Sequence, residues 1–258
     1  MKSYIKCINV DYESSRTENF YDIQLIVKGC LTLGDSFRAY TEVEVMDEDN
    51  QYRSDDYGLQ DAHKGVLFEH FPPVLHLQLK RFEYDFERDR MVKNNDRFEF
   101  PEEIDLTEFL TADSAQINAN NNYVLHGVLV HAGSLQSGHY YAMIKPEKNG
   151  RWIKFNDDHV RPVPANIAID DNYGGMEYNV EKTNSKGNKV RAHANAYMLV
   201  YIREEALDEV LAPVTIDDIP QHLQNAMAEQ EAKLKAQLEQ QERDRLRREE
   251  SKRNMTIR

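Results

Sequence analysis

Apolar and polar positions alternate with period two through most of the first two hundred residues, the signature of half-buried strands. In VLHLQLKRF, Leu75, Leu77, Leu79 and Arg81 share one face and Val74, His76, Gln78, Lys80 and Phe82 the other, so the leucine face is expected in the core. Val124, Val128 and Val130 alternate toward the turn AGSLQSG (132–138), after which His139-Tyr140-Tyr141 opens a second strand. A turn at Asn149-Gly150 delivers a third strand from Trp152 that ends on Asn156-Asp157-Asp158, giving a meander of three antiparallel strands. Further on, Met198, Val200 and Ile202 alternate with Tyr197, Leu199 and Tyr201 in a strand expected to be buried, preceded by a polar insertion (176–194) expected as an exposed hairpin or loop.

Residues 1–54 are also β-rich. SYIKCINVDY and FYDIQLIVKG are separated by ESSRTEN, expected as a polar turn, and KGCLTL is expected as a hairpin turn around Cys30. A short helix is predicted over 33–41, with Asp35 and Ser36 as cap-like residues, then short strands in EVEVM and QYRS. From Ile219-Pro220 to about Arg253 the pattern becomes helical, proline suiting a first helical turn. Leu223, Met227, Leu234, Leu238 and Leu246 form a stripe too thin for a coiled coil. The expected fold class is α+β: an antiparallel sheet followed by a long C-terminal helix.

Charge narrows the partners. The net charge is −13, while residues 229–253 carry seven acids and eight bases, so the acidity lies in the body. An acidic body opposes nucleic acid and favours a basic partner. No run of eighteen apolar residues suggests a membrane partner, and two cysteines, Cys7 and Cys30, give neither a disulfide framework nor a four-thiolate zinc site.

The candidate chemistry sits in the meander. His139 starts one strand and Asn156 ends the next, so imidazole and amide can meet and one tautomer can be held, as thiol-protease chemistry requires. His126, His131 and His139 also invite a metal reading. No helical His spacing accompanies them, and His126 and His131 differ in strand parity, so no metal and no cofactor is expected. His76 is expected to be structural.

GHYYAMI followed by W-x-x-FNDD resembles the histidine box of the ubiquitin-specific proteases, papain-like thiol enzymes that cleave ubiquitin from other proteins. VLHLQLKRFEYD, NDRFEFPEEIDL, NYGG and NAYMLVYIRE extend the resemblance to about Leu223, and it is strongest to the herpesvirus-associated branch. The resemblance implies ubiquitin, whose C-terminal tail is arginine-rich, and ubiquitinated proteins as partners, in the nucleus and cytosol. It implies His139 as general base, Asn156 as its orienting partner, and Asp157 as an assisting or alternative carboxylate. It places Phe82, Lys80, His131, Gly138, Tyr140 and Tyr197 around the channel for ubiquitin's tail, under two loops, EYDFERDRMVKNN and AGSLQSG. Residues 1–211 then correspond to part of a catalytic domain, fingers and palm, with fingers-side hairpins over about 1–64. Residues 212–258 correspond to a linker and solvated helix.

The resemblance also marks what these residues do not contain. Such enzymes carry a nucleophilic cysteine at a helix start in an upstream box, and neither Cys7 nor Cys30 has that context. The chain is therefore expected to hold the histidine half of a site, without the helical thumb, and to be inactive alone. Met1 falls directly before a strand, which suggests a truncated product.

Overall fold

A computed structural model describes residues 1–117, 120–175, 179–183 and 189–256. The chain divides into two compact units, Met1–Leu211 and Ala212–Arg258.

The first unit is built on a twisted central sheet ordered His159–Val163, Trp152–Asn156, Gly138–Ile144, Asn122–Gly133, Lys189–Arg203, Val74–Lys80, Ile23–Ile26. Every neighbour in that order is antiparallel except the last pair, which is parallel. Glu103–Asp105 and Asn179–Thr183 add short pairings to the two longest strands. A second sheet, Glu13–Thr17, Lys2–Cys7, Ala62–Leu67, Glu44–Met46, forms from the β-rich start. The α+β class and the long final helix, Gln221–Thr256, are as expected.

The leucine face of Val74–Lys80 does enter the core: Leu75, Leu77 and Leu79 are buried, beside Leu199, Tyr201 and a cluster of Phe37, Phe68 and Phe71. Arg81 continues that face and is itself fully buried. In Asn122–Gly133 simple alternation fails. Irregularities between Leu125 and Gly127 and between Leu129 and Val130 shift the register. Tyr123 and Leu125 are therefore buried with Val128 and Val130, while Val124, grouped with the other valines by parity, is only half-buried. The parity argument separating His126 from His131 fails for the same reason.

Five local expectations are corrected. Residues 13–17 are a strand, Glu13–Thr17, paired with Lys2–Cys7 at a solvent-exposed edge that needs no apolar side chains. Cys30 lies in a strand-to-helix connection, not a hairpin turn, because the helix Leu33–Tyr40 follows at once. That helix is capped by Thr32, whose hydroxyl accepts from the Asp35 amide at 3.1 Å while the Asp35 carboxylate accepts from the Thr32 amide at 3.0 Å. Ser36 instead donates to the Ile26 carbonyl at 2.7 Å. The expected loop EYDFERDRMVKNN is mostly a hairpin, Phe82–Asp85 with Arg90–Lys93, turned by Asp85, which accepts from the Glu87 and Arg88 amides. His76 is solvent-exposed rather than a packed structural histidine. In the insertion, residues 176–178 and 184–188 lie outside the described residues, and Asn179–Thr183 pairs with the start of Lys189–Arg203 as one arm of a hairpin.

Candidate active site

His139 stands second in Gly138–Ile144, opposite Ala132. The adjacent ladder ends on Ala142 opposite Phe155, so Asn156 follows directly beyond it on the side towards His139. This diagonal relation lets a long side chain reach across the strands. His139 Nε2 lies 2.6 Å from Asn156 Oδ1. An amide oxygen only accepts, so Nε2 carries the proton and Nδ1 keeps its lone pair.

Asp157 stands behind this pair. Its carboxylate is 3.8 Å from His139 Nε2 and its side chain is 74% exposed, so water screens it and Asn156 is the closer partner. Asp157 adopts φ 54°, a left-handed conformation that aspartate tolerates, in the tight turn that pairs Asn156 with His159.

The preceding turn is a short one. Gly133, at φ 117°, allows Ser134 to bond Ser137 backbone to backbone at 2.9 Å, closing 133–138 as a hairpin rather than an open loop. A side chain at Gly138 would run into the His131 ring. That ring is buried, 5.3 Å from Phe82 and 4.6 Å from Tyr140 between centroids, and Tyr140 is 5.2 Å from Tyr197. Phe82, His131, Tyr140 and Tyr197 thus form one continuous aromatic wall, with Gly138 against it. Lys80 ends its strand exposed, and its side chain has no ring contact, hydrogen bond or ion pair among the described residues. Burial, then the Lys93 charge, pushes the His131 pKa below the usual imidazole value.

Two cations hold this region together. Arg81 donates to the carbonyls of Ala196 (2.6 Å), Asn94 (3.3 Å), Asp96 (2.9 Å) and Tyr173 (3.0 Å). Lys93 Nζ donates to the carbonyls of His131 (3.0 Å), Gly133 (3.1 Å) and His193 (3.2 Å), tying one hairpin to the base of the other. Sequence reasoning placed Arg81 on the leucine face without a role and passed over Lys93, whose context carries no periodic signal.

A cavity of about 1070 Å³ opens between the two hairpins, lined in part by Arg88, Arg90, Lys93, Gly138, His139 and His193. Among the described residues no Asp or Glu lines it. The carboxylate recorded nearest His139, that of Asp157, stands outside this lining. Cys7 and Cys30 are both buried, and neither lines this cavity. Burial, then Asp35, raises the Cys30 thiol pKa, the reverse of what a nucleophile needs.

Residues 1–201 match the family described as ubiquitin carboxyl-terminal hydrolase. Ubiquitin carboxyl-terminal hydrolase 15 of Schizosaccharomyces pombe is 54% identical over 230 residues, covering 89% of this chain and 20% of that protein. Ubiquitin carboxyl-terminal hydrolase 15 of Saccharomyces cerevisiae is 51% identical over 237 residues (86% and 19%), and ubiquitin carboxyl-terminal hydrolase 7 of Drosophila melanogaster is 47% identical over 226 (86% and 19%). The chain spans about one fifth of the length of these relatives. With the family matched over most of its length and the paired imidazole and amide inside that match, the chain belongs to the ubiquitin carboxyl-terminal hydrolase family.

Proposed function

We propose that this chain supplies the imidazole-and-amide part of a thiol-dependent site that hydrolyses the isopeptide bond after ubiquitin's terminal glycine, and that it is inactive alone. The observation carrying the proposal is the 2.6 Å contact between His139 Nε2 and Asn156 Oδ1. With Nε2 tied to an acceptor, Nδ1 is free to take the proton of a thiol and later return it to the leaving lysine amine. Asn156 orients the ring without adding charge, and Asp157 assists only weakly through solvent. Phe82, His131, Gly138, Tyr140 and Tyr197 make the wall beside which a glycine-ended tail lies, and Lys80 stands outside it. Residues 1–211 serve as the catalytic-domain portion and 212–258 as linker and helix. Within the family we infer the herpesvirus-associated branch, acting in nucleus and cytosol, from the length of the shared motifs.

Inactivity follows from the two thiols: Cys7 and Cys30 are 5% and 8% exposed, so neither meets a large electrophile. The test is incubation of the purified chain with ubiquitin bearing a thiol-reactive C-terminus. No adduct is expected; stoichiometric labelling of Cys7 or Cys30 would overturn the proposal. A polypeptide carrying the cysteine-bearing part of a relative, added in trans, is expected to become labelled more slowly with His139→Ala than with the unaltered chain. A non-catalytic role is the second reading, favoured by the same buried thiols. It requires ubiquitin binding that His139→Ala leaves unchanged.

A further inference from the structure

A second cavity, of about 490 Å³, opens at the other end of the strands that carry His139 and Asn156. His139 stands near the start of Gly138–Ile144, and Asn156 ends Trp152–Asn156. Lys145, just past the first strand, and Arg151 and Trp152, at the start of the second, line this cavity instead. Glu102 and the segment from Pro162 to Ala165 complete the wall.

The main chain holds these segments in place. The Lys145 amide donates to the His126 carbonyl at 2.9 Å, and the Leu125 amide to the Glu102 carbonyl at 2.7 Å. Trp152 pairs with Val163 at the edge of the central sheet. The turn before Arg151 is closed by the Gly150 amide on the Glu147 carbonyl at 3.0 Å. Lys148 pins that turn, its ammonium meeting both carboxylate oxygens of Asp208 at 2.9 Å. A cavity framed in this way is formed before any ligand arrives.

Its polar groups are not balanced among themselves. Trp152 is 4% exposed, and its indole N–H finds no acceptor among the described residues. An enclosed donor without an acceptor costs stability, and an entering oxygen that reaches it removes that cost. The side chains of Lys145, Arg151 and Glu102 have no ion pair or hydrogen bond among the described residues. Two cations and one acid favour a single negative charge, while Glu102 disfavours a doubly charged anion such as phosphate. Pro162, Val163 and Pro164 give the cavity an apolar side, which suits a short hydrocarbon body. The net charge of −13 slows the approach of any anion, so recognition rests on these local groups.

We propose that this cavity binds a monocarboxylate with a short apolar body. The carboxylate meets Lys145 and Arg151 and passes one oxygen to the Trp152 N–H, and the body packs on Pro162 and Pro164. The C-terminal residue of a peptide and a free branched acid share this chemistry. The site is separate from the channel beside His139 and does not depend on the ubiquitin reading.

Trp152 is the only tryptophan in the chain, so its indole N–H gives a single proton–nitrogen resonance. The experiment titrates the full chain with N-acetylvaline, standing for a peptide C-terminus, with isovalerate, standing for a free acid, and with N-acetylvaline amide. One or both acids are expected to shift the indole resonance saturably, the tighter of them naming the source, and the amide to leave it in place. Arg151→Gln, at an exposed position, is expected to weaken binding about tenfold. Trp152→Phe, which keeps the ring and removes the donor, is expected to weaken it as well when followed by calorimetry. Failure of both acids to bind, equal binding of the amide, or an Arg151→Gln chain that binds as well as the parent overturns the proposal. Tighter binding of inorganic phosphate than of either acid rejects it too, as does an acid that moves the His139 resonances and leaves the indole fixed.

Discussion

At the scale of single residues the site is decided by which acceptor reaches His139 first. Asn156 is 1.2 Å closer than Asp157 and better shielded, so the amide sets the tautomer. Asn156→Ala is expected to leave the fold within about 1 kcal/mol of its stability, since one hydrogen bond at a half-buried position is lost. It should turn the His139 ring into a mixture of tautomers, visible in its nitrogen chemical shifts; an unchanged spectrum would transfer the orienting role to Asp157. Lys93 carries the second residue-scale prediction. Its pKa is lowered from 10.5 to about 8, so between those values the unfolded chain holds a proton that the folded chain has lost. Stability contributed by this group therefore rises as pH climbs from about 8 towards 10.5, and below 8 the buried charge is a standing cost. Urea titrations of the parent and Lys93→Met should diverge in slope against pH across that window and run parallel below it.

At the scale of elements, strands came from the sequence more readily than their registers. Period two identified Val74–Lys80 because it buries its leucine face; Gly138–Ile144 and Trp152–Asn156 each bury one residue, Met143 and Trp152, and were marked by the glycine turns before them. It failed in Asn122–Gly133, where one extra residue, His126, exchanges the faces between Leu125 and Gly127, and a bulge leaves no compositional mark. It failed for Glu13–Thr17 because a fully exposed edge strand has no buried face to betray it. The His139–Asn156 contact was legible because a strand start and the next strand's end are neighbours in any meander. The clamps made by Arg81 and Lys93 were not, since both cations are paired with main-chain carbonyls whose positions no side-chain pattern records. Arg81 shows the structural weight of such a group: its guanidinium joins three segments through four carbonyls, at Asn94 and Asp96, at Tyr173 and at Ala196. Lysine cannot reproduce that fork. Arg81→Lys is expected to destabilise the chain by about 2–4 kcal/mol, as stranded carbonyls and a misplaced buried charge add together. Denaturant unfolding measures this, and a loss below about 1 kcal/mol would mean that the three segments hold their positions without the clamp.

At the scale of the molecule, the two units differ in what stabilises them. Met1–Leu211 has a continuous apolar core, whereas the helix Gln221–Thr256 exposes nearly all its described side chains, including Leu223, Met227, Leu234 and Leu238. What supports the helix is local. Lys233 pairs with Glu229 at 2.7 Å and Arg243 with Glu239 at 4.0 Å, contacts worth a few tenths of a kcal/mol each. A helix without a buried face melts gradually and opens often, while a core of this kind opens as a unit. Brief trypsin digestion should therefore cut first at Lys233, Lys235, Arg243 and Arg245 and leave a fragment retaining the sheet. Heating followed by far-ultraviolet circular dichroism should show helix signal declining with a shallow slope before a sharp loss of strand signal. If instead those sites resist cleavage until the body unfolds, and both signals fall together, the helix must be covered in solution, and its thin leucine stripe would be the face in contact.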